Sequence, residues 1–276
     1  MNCRTQMAFA IAVAGTVLAG NVWAQESVCD QSELSQGAVQ ASLRPGQLGL
    51  ARSVCAANRL GLGQSGFLLV DLDNFFGSIR TATELQGEYQ LSRTTSIFGL
   101  LEAYRYETVI ASVAAVESGL GHSALGVAHR YFENADLSAA VTTRLVLPPP
   151  VGVYHNVSSL ALDVATGVEW ALRPRLAVHG TVGLLSSVGI TREAVQPRLG
   201  TQLTLGLGWQ PWRIFGVVAD VVSGFGYAAP VDVVAAALSL RFLPAKRLTV
   251  SLDALVPVGG QARALAAGAL RLNFSF

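Results

Sequence analysis

The sequence predicts an all-β fold of one kind, a transmembrane antiparallel up-and-down β-barrel of about 12 strands (range about 10–14) over residues 65–276. Three observations carry this reading. The chain is 51% hydrophobic and only 13% charged, with a mean hydropathy of +0.44, against about 25% charged residues in soluble domains. Beyond the N-terminal segment, no apolar stretch is clean enough to cross a membrane as a helix. Glu117 interrupts Val109–Leu125, and Asp220, Pro230 and Asp232 interrupt Ile214–Leu240. The apolar residues instead alternate with polar ones at period two, which sends them to opposite faces of a strand. An apolar chain with no spanning helix has one other way to satisfy its backbone in lipid, a closed barrel.

Residues 1–24 have the form of a secretory signal peptide. Arg4 supplies the positive n-region, Met7–Ala19 is apolar and small, Val22-Trp23-Ala24 is a cleavage site, and no acid precedes Glu26. The apolar run is shorter than the about 20 residues that span a bilayer. Of the 19 Lys and Arg residues only Arg4 leaves with the signal, so 18 remain against 18 Asp and Glu. A neutral mature chain excludes the basic surface of a nucleic-acid binder. Cys3 is also removed, leaving Cys29 and Cys55 as an even pair in an oxidising compartment, where a disulfide is expected. That cross-link would contribute about 3 kcal/mol in the chain-entropy model. Residues 25–64, rich in Gln, Ser, Ala and Gly with a short helical pattern at Glu33–Leu43, read as an extension. It would lie beside the barrel on the periplasmic side or plug its mouth.

From Ser65 onward strands follow one another. Gly66–Phe76 is the expected first strand, and Glu84, Gln86, Glu88 and Gln90 form the polar row of the next. Leu137, Ala139, Val141, Leu145 and Leu147 form an apolar row. Ser158–Leu184 is the clearest hairpin: Leu160, Leu162, Val164, Val168, Trp170 and Leu172 share one parity, opposite Asp163 and Glu169. After Arg173-Pro174, Leu176, Val178, Val182 and Leu184 continue the apolar row opposite Arg175 and His179. Leu203–Trp209, Phe215–Val221, Val234–Phe242 and Leu248–Val256 repeat the pattern. In the last segment Leu270, Leu272, Phe274 and Phe276 stand opposite Arg263, Arg271, Asn273 and Ser275.

Short polar turns are expected at Ser92-Arg93-Thr94, Glu133–Asp136, Arg173-Pro174, Gln210–Arg213 and Pro244-Ala245-Lys246. Longer links are expected at about 107–120, 148–157, 186–199 and 225–231, with a short one near 258–261. Tyr89, Tyr131, Trp170, Trp209, Trp212, Phe242 and Phe276 all lie near the short-turn end, as an interfacial aromatic girdle requires. Both chain ends fall on the same side, so the strand number must be even.

By parity the inward face carries Glu84, Glu88, Glu102, Asp163, Glu169, Asp220 and Asp253 together with Arg130, Arg144, Arg175, Arg241, Arg247, Arg263 and Arg271, with His179 beside Arg175. Acids and arginines balance, whereas a strongly selective pore shows an excess of one sign. Cross-lumen pairing that holds the wall in register is the structural role such charges share. No catalytic set emerges. His122 and His129 sit at opposite parity, and His155-Asn156-Val157-Ser158 is the single stretch with histidine, amide and hydroxyl close together. No metal, phosphate-loop or dinucleotide pattern is present, so no cofactor is expected and the chain is not expected to be an enzyme.

The closing strand, apolar on one parity and ending in Phe, resembles that of bacterial outer-membrane β-barrels. In that family the terminal aromatic is read by the barrel-assembly machinery. The resemblance gives Leu272, Phe274 and Phe276 the role of assembly signal. It implies the outer membrane of a Gram-negative bacterium as location, with its lipid and the assembly machinery as partners. Residues Gly119-Leu120-Gly121-His122 through Arg130-Tyr131, followed by Ala140–Pro148, resemble a stretch of transporter-like outer-membrane proteins, with His122 where that group carries Asp. The group includes phenol-degradation meta-pathway barrels, associated with small hydrophobic or aromatic compounds. The implied function is a porin-like passive channel for small solutes. The alternatives are a plugged structural or surface-interaction barrel and an outer-membrane lipid-modifying enzyme.

Overall fold

Alternating Leu, Val, Thr and aromatic residues suit a pleated wall with lipid on one side, and such strands make up the whole described chain. A computed structural model describes residues 58–276 apart from 72–75, 111–114, 149–156, 174, 192–194, 227–232, 246 and 261–263. The signal peptide and Cys29 and Cys55 lie outside the described residues.

The strands are β1 (Arg59–Asp71), β2 (Phe76–Gln90), β3 (Thr95–Ile110), β4 (Ala115–Gly119), β5 (Ser123–Glu133), β6 (Leu137–Leu147) and β7 (Val157–Arg173). They continue as β8 (Leu176–Thr191), β9 (Val195–Trp212), β10 (Phe215–Gly226), β11 (Val233–Ala245), β12 (Leu248–Gly260) and β13 (Ala264–Ser275). Apart from β4 and β5, each strand pairs antiparallel with its neighbours in sequence, and β1 pairs with β13 from Arg59↔Ser275 to Leu69↔Ala264, so the sheet closes. The result is a closed barrel of 12 staves. The thirteenth strand adds no stave, because β4 and β5 both pair with the same edge of β3. Between them Gly119 takes a φ of 155°, a backbone that side chains rarely adopt. Glu102 bridges the break by exchanging backbone hydrogen bonds of 2.9 Å with Gly121 and His122.

Three details differ from the sequence expectation. The first stave begins at Arg59 rather than Gly66, so the barrel boundary lies at 59 and not 65. Gly61 and Gly63 empty the inward row there, and side chains of β13 occupy the space: a Cβ on Gly63 would lie 2.9 Å from Cγ of Arg271. The strand is therefore invisible to an alternation count. The expected links at 107–120 and 186–199 are largely strand, in β3, β4, β8 and β9. Within β3, Thr83↔Tyr104 is followed by Glu84↔Glu102, leaving Ala103 as the extra residue of a bulge. Leu101 and Tyr104 thus both face outward, and parity inverts beyond them.

The turns between 90 and 95, 133 and 137, 173 and 176, 212 and 215, and 245 and 248 are short. In one, Oδ1 of Asn134 accepts from the backbone N–H of Asp136 (2.9 Å) and Leu137 (2.7 Å), the Asx pattern that reverses a chain. The N–H of Phe276 donates to the carbonyl of Asn58 at 3.1 Å, so barrel start and chain end meet at the turn end. The outer surface is a continuous field of exposed Leu, Val and Ile, ringed near the turns by exposed Tyr89, Tyr131, Trp170, Trp209, Trp212, Phe242 and Phe276. Leu205 sits in the middle of that field, 57% exposed. Leu205→Arg should lower the unfolding free energy in liposomes by about 2–4 kcal/mol, the cost of arginine at a bilayer midplane. Urea titration followed by heat-modifiable gel mobility reads the change, and a cost near zero would take Leu205 out of the hydrocarbon.

Candidate functional site

Opposite the apolar outer rows, most inward positions of the strands are small, polar or charged, with Phe98, Leu100, Val146, Val218, Val222 and Leu255 the larger apolar ones among the described residues. Their charges reach one another across glycines. Gly63 on β1 is register partner to both Glu84 on β2 and Arg271 on β13. With no side chain between them, Arg271 crosses the strand and donates to Oε2 of Glu84 from Nη2 (3.2 Å) and Nε (3.4 Å). Its Nη1 donates to Oδ2 of Asp253 on β12 at 2.6 Å, and Ser251 Oγ approaches the same oxygen at 3.4 Å. Gly206 on β9 plays the same part between Asp220 on β10 and His179 on β8. Nε2 of His179 and Oδ1 of Asp220 lie 2.6 Å apart, where a Cβ on Gly206 would overlap both side chains. Arg241 links the two groups, interacting electrostatically with Asp253, Asp220 and Glu169 and, as a like charge, with Arg59. A charged belt therefore follows the wall from β2 through β13, β12, β11, β10 and β8 to β7, within a few residues of the turn end.

A second group lies on β2, β3 and the β4–β5 break. Arg80 pairs with Glu102, Arg105 with Glu107, and Glu102 Oε2 accepts from the backbone N–H of His122 at 2.9 Å, with the ring Nδ1 at 3.4 Å. Arg59 pairs with Glu88, whose other oxygen accepts from Ser96 Oγ at 2.6 Å, and Arg144 holds Asp163 at 2.6 Å. Among these charges two apolar clusters are buried: Val222, Ala235, Ala237 and Leu255 form one, and Leu100, Ala124, Val146 and Ala161 the other.

Of the residues selected by parity, Glu84, Glu88, Glu102, Glu169, Asp220, Asp253, Arg241 and Arg271 are buried on the inner side. Arg144, Asp163 and His179 are partly buried there. Arg130 stands near the turn-end rim, paired with Glu133 at 2.9 Å and donating to the carbonyl of Arg93. Arg175 and Arg247 are corrections. Both occupy turns and are exposed, Arg175 donating to the carbonyl of Pro211 at 3.2 Å. Each lies just outside a strand end, before Leu176 and before Leu248, where parity no longer assigns a face. Arg263 lies outside the described residues, as does His155.

Five interior residues escaped the sequence reading. Arg80 shares parity with Glu84 and Glu88, so a strand begun at Phe76 would have included it. Arg59 fell in the segment read as an extension. Arg105 and Glu107 lie beyond the bulge at Ala103, and no local signal marks that inversion. His122, 4% exposed, sits in the strand break rather than on a continuous strand. Leu272, Phe274 and Phe276 are exposed on the outer face. Among the described residues no group of three His, Cys, Asp or Glu could hold a metal ion. Thr95 Oγ1 and His129 Nδ1, hydrogen-bonded at 2.9 Å, are exposed on the outer side.

No protein-family model matches this sequence, and no curated protein matches it. Solved structures do match the fold. An outer-membrane channel from Pseudomonas putida F1 superposes with a TM-score of 0.60 at 10% identity, covering 80% of this chain and 96% of its own. The β domain of the Bordetella autotransporter BrkA gives 0.57 at 12% identity, over 80% and 100%. The KdgM porin in complex with disordered oligogalacturonate gives 0.51 at 8%, over 78% and 99%. The fold is that of bacterial outer-membrane β-barrels.

Arg271 is the residue on which the belt hinges. Arg271→Ala leaves Glu84 and Asp253 buried without their cation and should cost about 3–5 kcal/mol of unfolding free energy. Adding Glu84→Gln and Asp253→Asn should recover more than half of that. If the costs of the three changes merely add, the groups do not act as one network.

Proposed function

We propose that this chain is an outer-membrane channel through which small solutes pass passively. The observation that carries the reading is the inversion of an ordinary protein: an apolar exterior around an interior lined by ionisable side chains. An apolar outer field with an aromatic girdle suits lipid, and a polar inner wall suits water and solute. The likeness in fold to an outer-membrane channel and to a porin supports the same reading. Among the described residues interior acids and arginines are near balance, Glu84, Glu88, Glu102, Glu107, Asp163, Glu169, Asp220 and Asp253 against Arg59, Arg80, Arg105, Arg130, Arg144, Arg241 and Arg271. Such a passage discriminates weakly between cations and anions.

Single-channel recording of the mature protein, refolded and inserted in a planar bilayer, tests this directly. Discrete steps with a cation-to-anion permeability ratio close to one are expected, and Arg271→Ala should move the reversal potential towards cations. A barrel proven folded by heat-modifiable mobility, yet silent under all voltages, would overturn the channel.

We further propose that Leu272, Phe274 and Phe276 form the signal by which the barrel-assembly machinery handles the chain. All three side chains are exposed on one row of the closing strand. Deleting Phe276 should lower the amount of heat-modifiable barrel in outer membranes several-fold, while refolding in detergent is little changed. Equal membrane yields with and without Phe276 would remove that role.

A further inference from the structure

The lipid-facing surface is not uniform. Among the wall residues whose side chains the structure describes, one carboxamide and no charge points outward away from the turns, and it belongs to Gln64. Its neighbours Leu60, Leu62 and Leu68 on the same row of β1 are exposed hydrophobics. Gln64 is register partner to Thr83, six residues along β2 from girdle residue Tyr89. At about 3.3 Å per residue and a tilt of roughly 40°, that is about 15 Å above the girdle, near the middle of an apolar band about 25 Å tall. Thr83 Oγ1 donates to Gln64 Oε1 at 2.8 Å. The amide N–H groups of Gln64 meet no acceptor among the described residues. In hydrocarbon those donors have nothing to bond, and a polar group so placed is costly.

On one side of Gln64 the wall also carries small and polar residues. Gly66, the next outward position along β1, and its β13 partner Gly268 lie above the Gln64–Leu270 pair, and Thr81, Tyr104 and Tyr106 continue the patch across β2 and β3. At comparable height the opposite wall, on β8 and β9, presents Leu184, Leu203 and Leu205. A Cβ on Gly66 would meet nothing within 4 Å, so no contact within the protomer excludes a side chain there. The missing side chain opens the outer surface next to Gln64.

We infer that this patch is the interface of a homodimer, with the Gln64 carboxamides of two copies paired across a two-fold axis. An occupant must offer an acceptor at the bilayer midplane. Acyl chains have none, and headgroups lie at the membrane surface. A second copy of the chain places its own Gln64 at the same depth by construction. A carboxamide carries both donors and an acceptor with two lone pairs, so two of them exchange a pair of N–H···O bonds about a two-fold axis, as an isologous contact requires. Gly66 and Gly268 let the two walls approach closely enough for that exchange, as small residues do where spanning segments meet in lipid.

The inference rests on the reading that the wall spans a membrane, and the test separates the two. The mature protein is reconstituted in liposomes in two pools bearing a donor or an acceptor dye, and energy transfer is followed as the protein-to-lipid ratio falls. Folding is checked in the same samples by heat-modifiable mobility; a chain that does not insert and fold would sink the membrane reading itself. For the folded protein, saturable transfer at one-to-one stoichiometry is expected. Gln64→Leu should raise the dissociation constant about tenfold, the size of one inter-segment polar contact in lipid. Gly66→Leu should do so by blocking close approach, with the barrel band intact in both. A folded parent that shows no transfer above random crowding, its patch covered by lipid alone, overturns the dimer. So does a parent that dimerises while both variants dimerise equally well.

Discussion

Everything in this molecule depends on the seam between β1 and β13. A sheet in hydrocarbon cannot leave an edge, because unpaired N–H and C=O groups find no water there. The seam removes the last edge by pairing Arg59 with Ser275 and continuing to Leu69 and Ala264. Side chains reinforce what the backbone closes. Arg271, on the final strand, passes over Gly63 on the first and grips Glu84 on the second. One guanidinium thereby ties together three strands drawn from opposite ends of the chain, and its other arm holds Asp253 on β12. Gly63 is needed at that place because any side chain would block the crossing.

The same device appears on the far side of the ring, where Gly206 lets Asp220 meet His179. Glycine in a strand interior normally weakens it. Here each such glycine converts a next-nearest strand into a hydrogen-bonding neighbour. The cost to the strand is offset by partners for charges that would otherwise stand buried and alone. The outer face follows the opposite rule: among the described residues it is apolar nearly everywhere, and the carboxamide of Gln64 breaks the pattern. Inner and outer surfaces are thus set by a single question, what each polar group can bond to in the medium it faces.

Much of this was legible from the chain. Period-two alternation in β7 to β13 identified strands, faces and turns, because a residue touching lipid must be apolar whatever its neighbours are. Leu270, Leu272, Phe274 and Phe276 against Arg271 is such a case. The reading weakened where local pattern and environment part company. Residues 59–64 resemble a linker because Gly61 and Gly63 leave room for side chains that belong to β13. Arg105 and Glu107 sit inside only because Ala103 bulges and shifts the count by one.

By itself, then, the sequence determined the class of structure, a closed antiparallel barrel with an even number of staves, and most of its two-faced assignment. That information is local, written at every second residue by the contrast between lipid and interior. Only the tertiary structure decided which charges meet, where parity inverts, and that Arg175 and Arg247 belong to turns. Those facts depend on register between strands far apart in sequence, such as Arg271 and Glu84, and register is fixed when the sheet closes on itself.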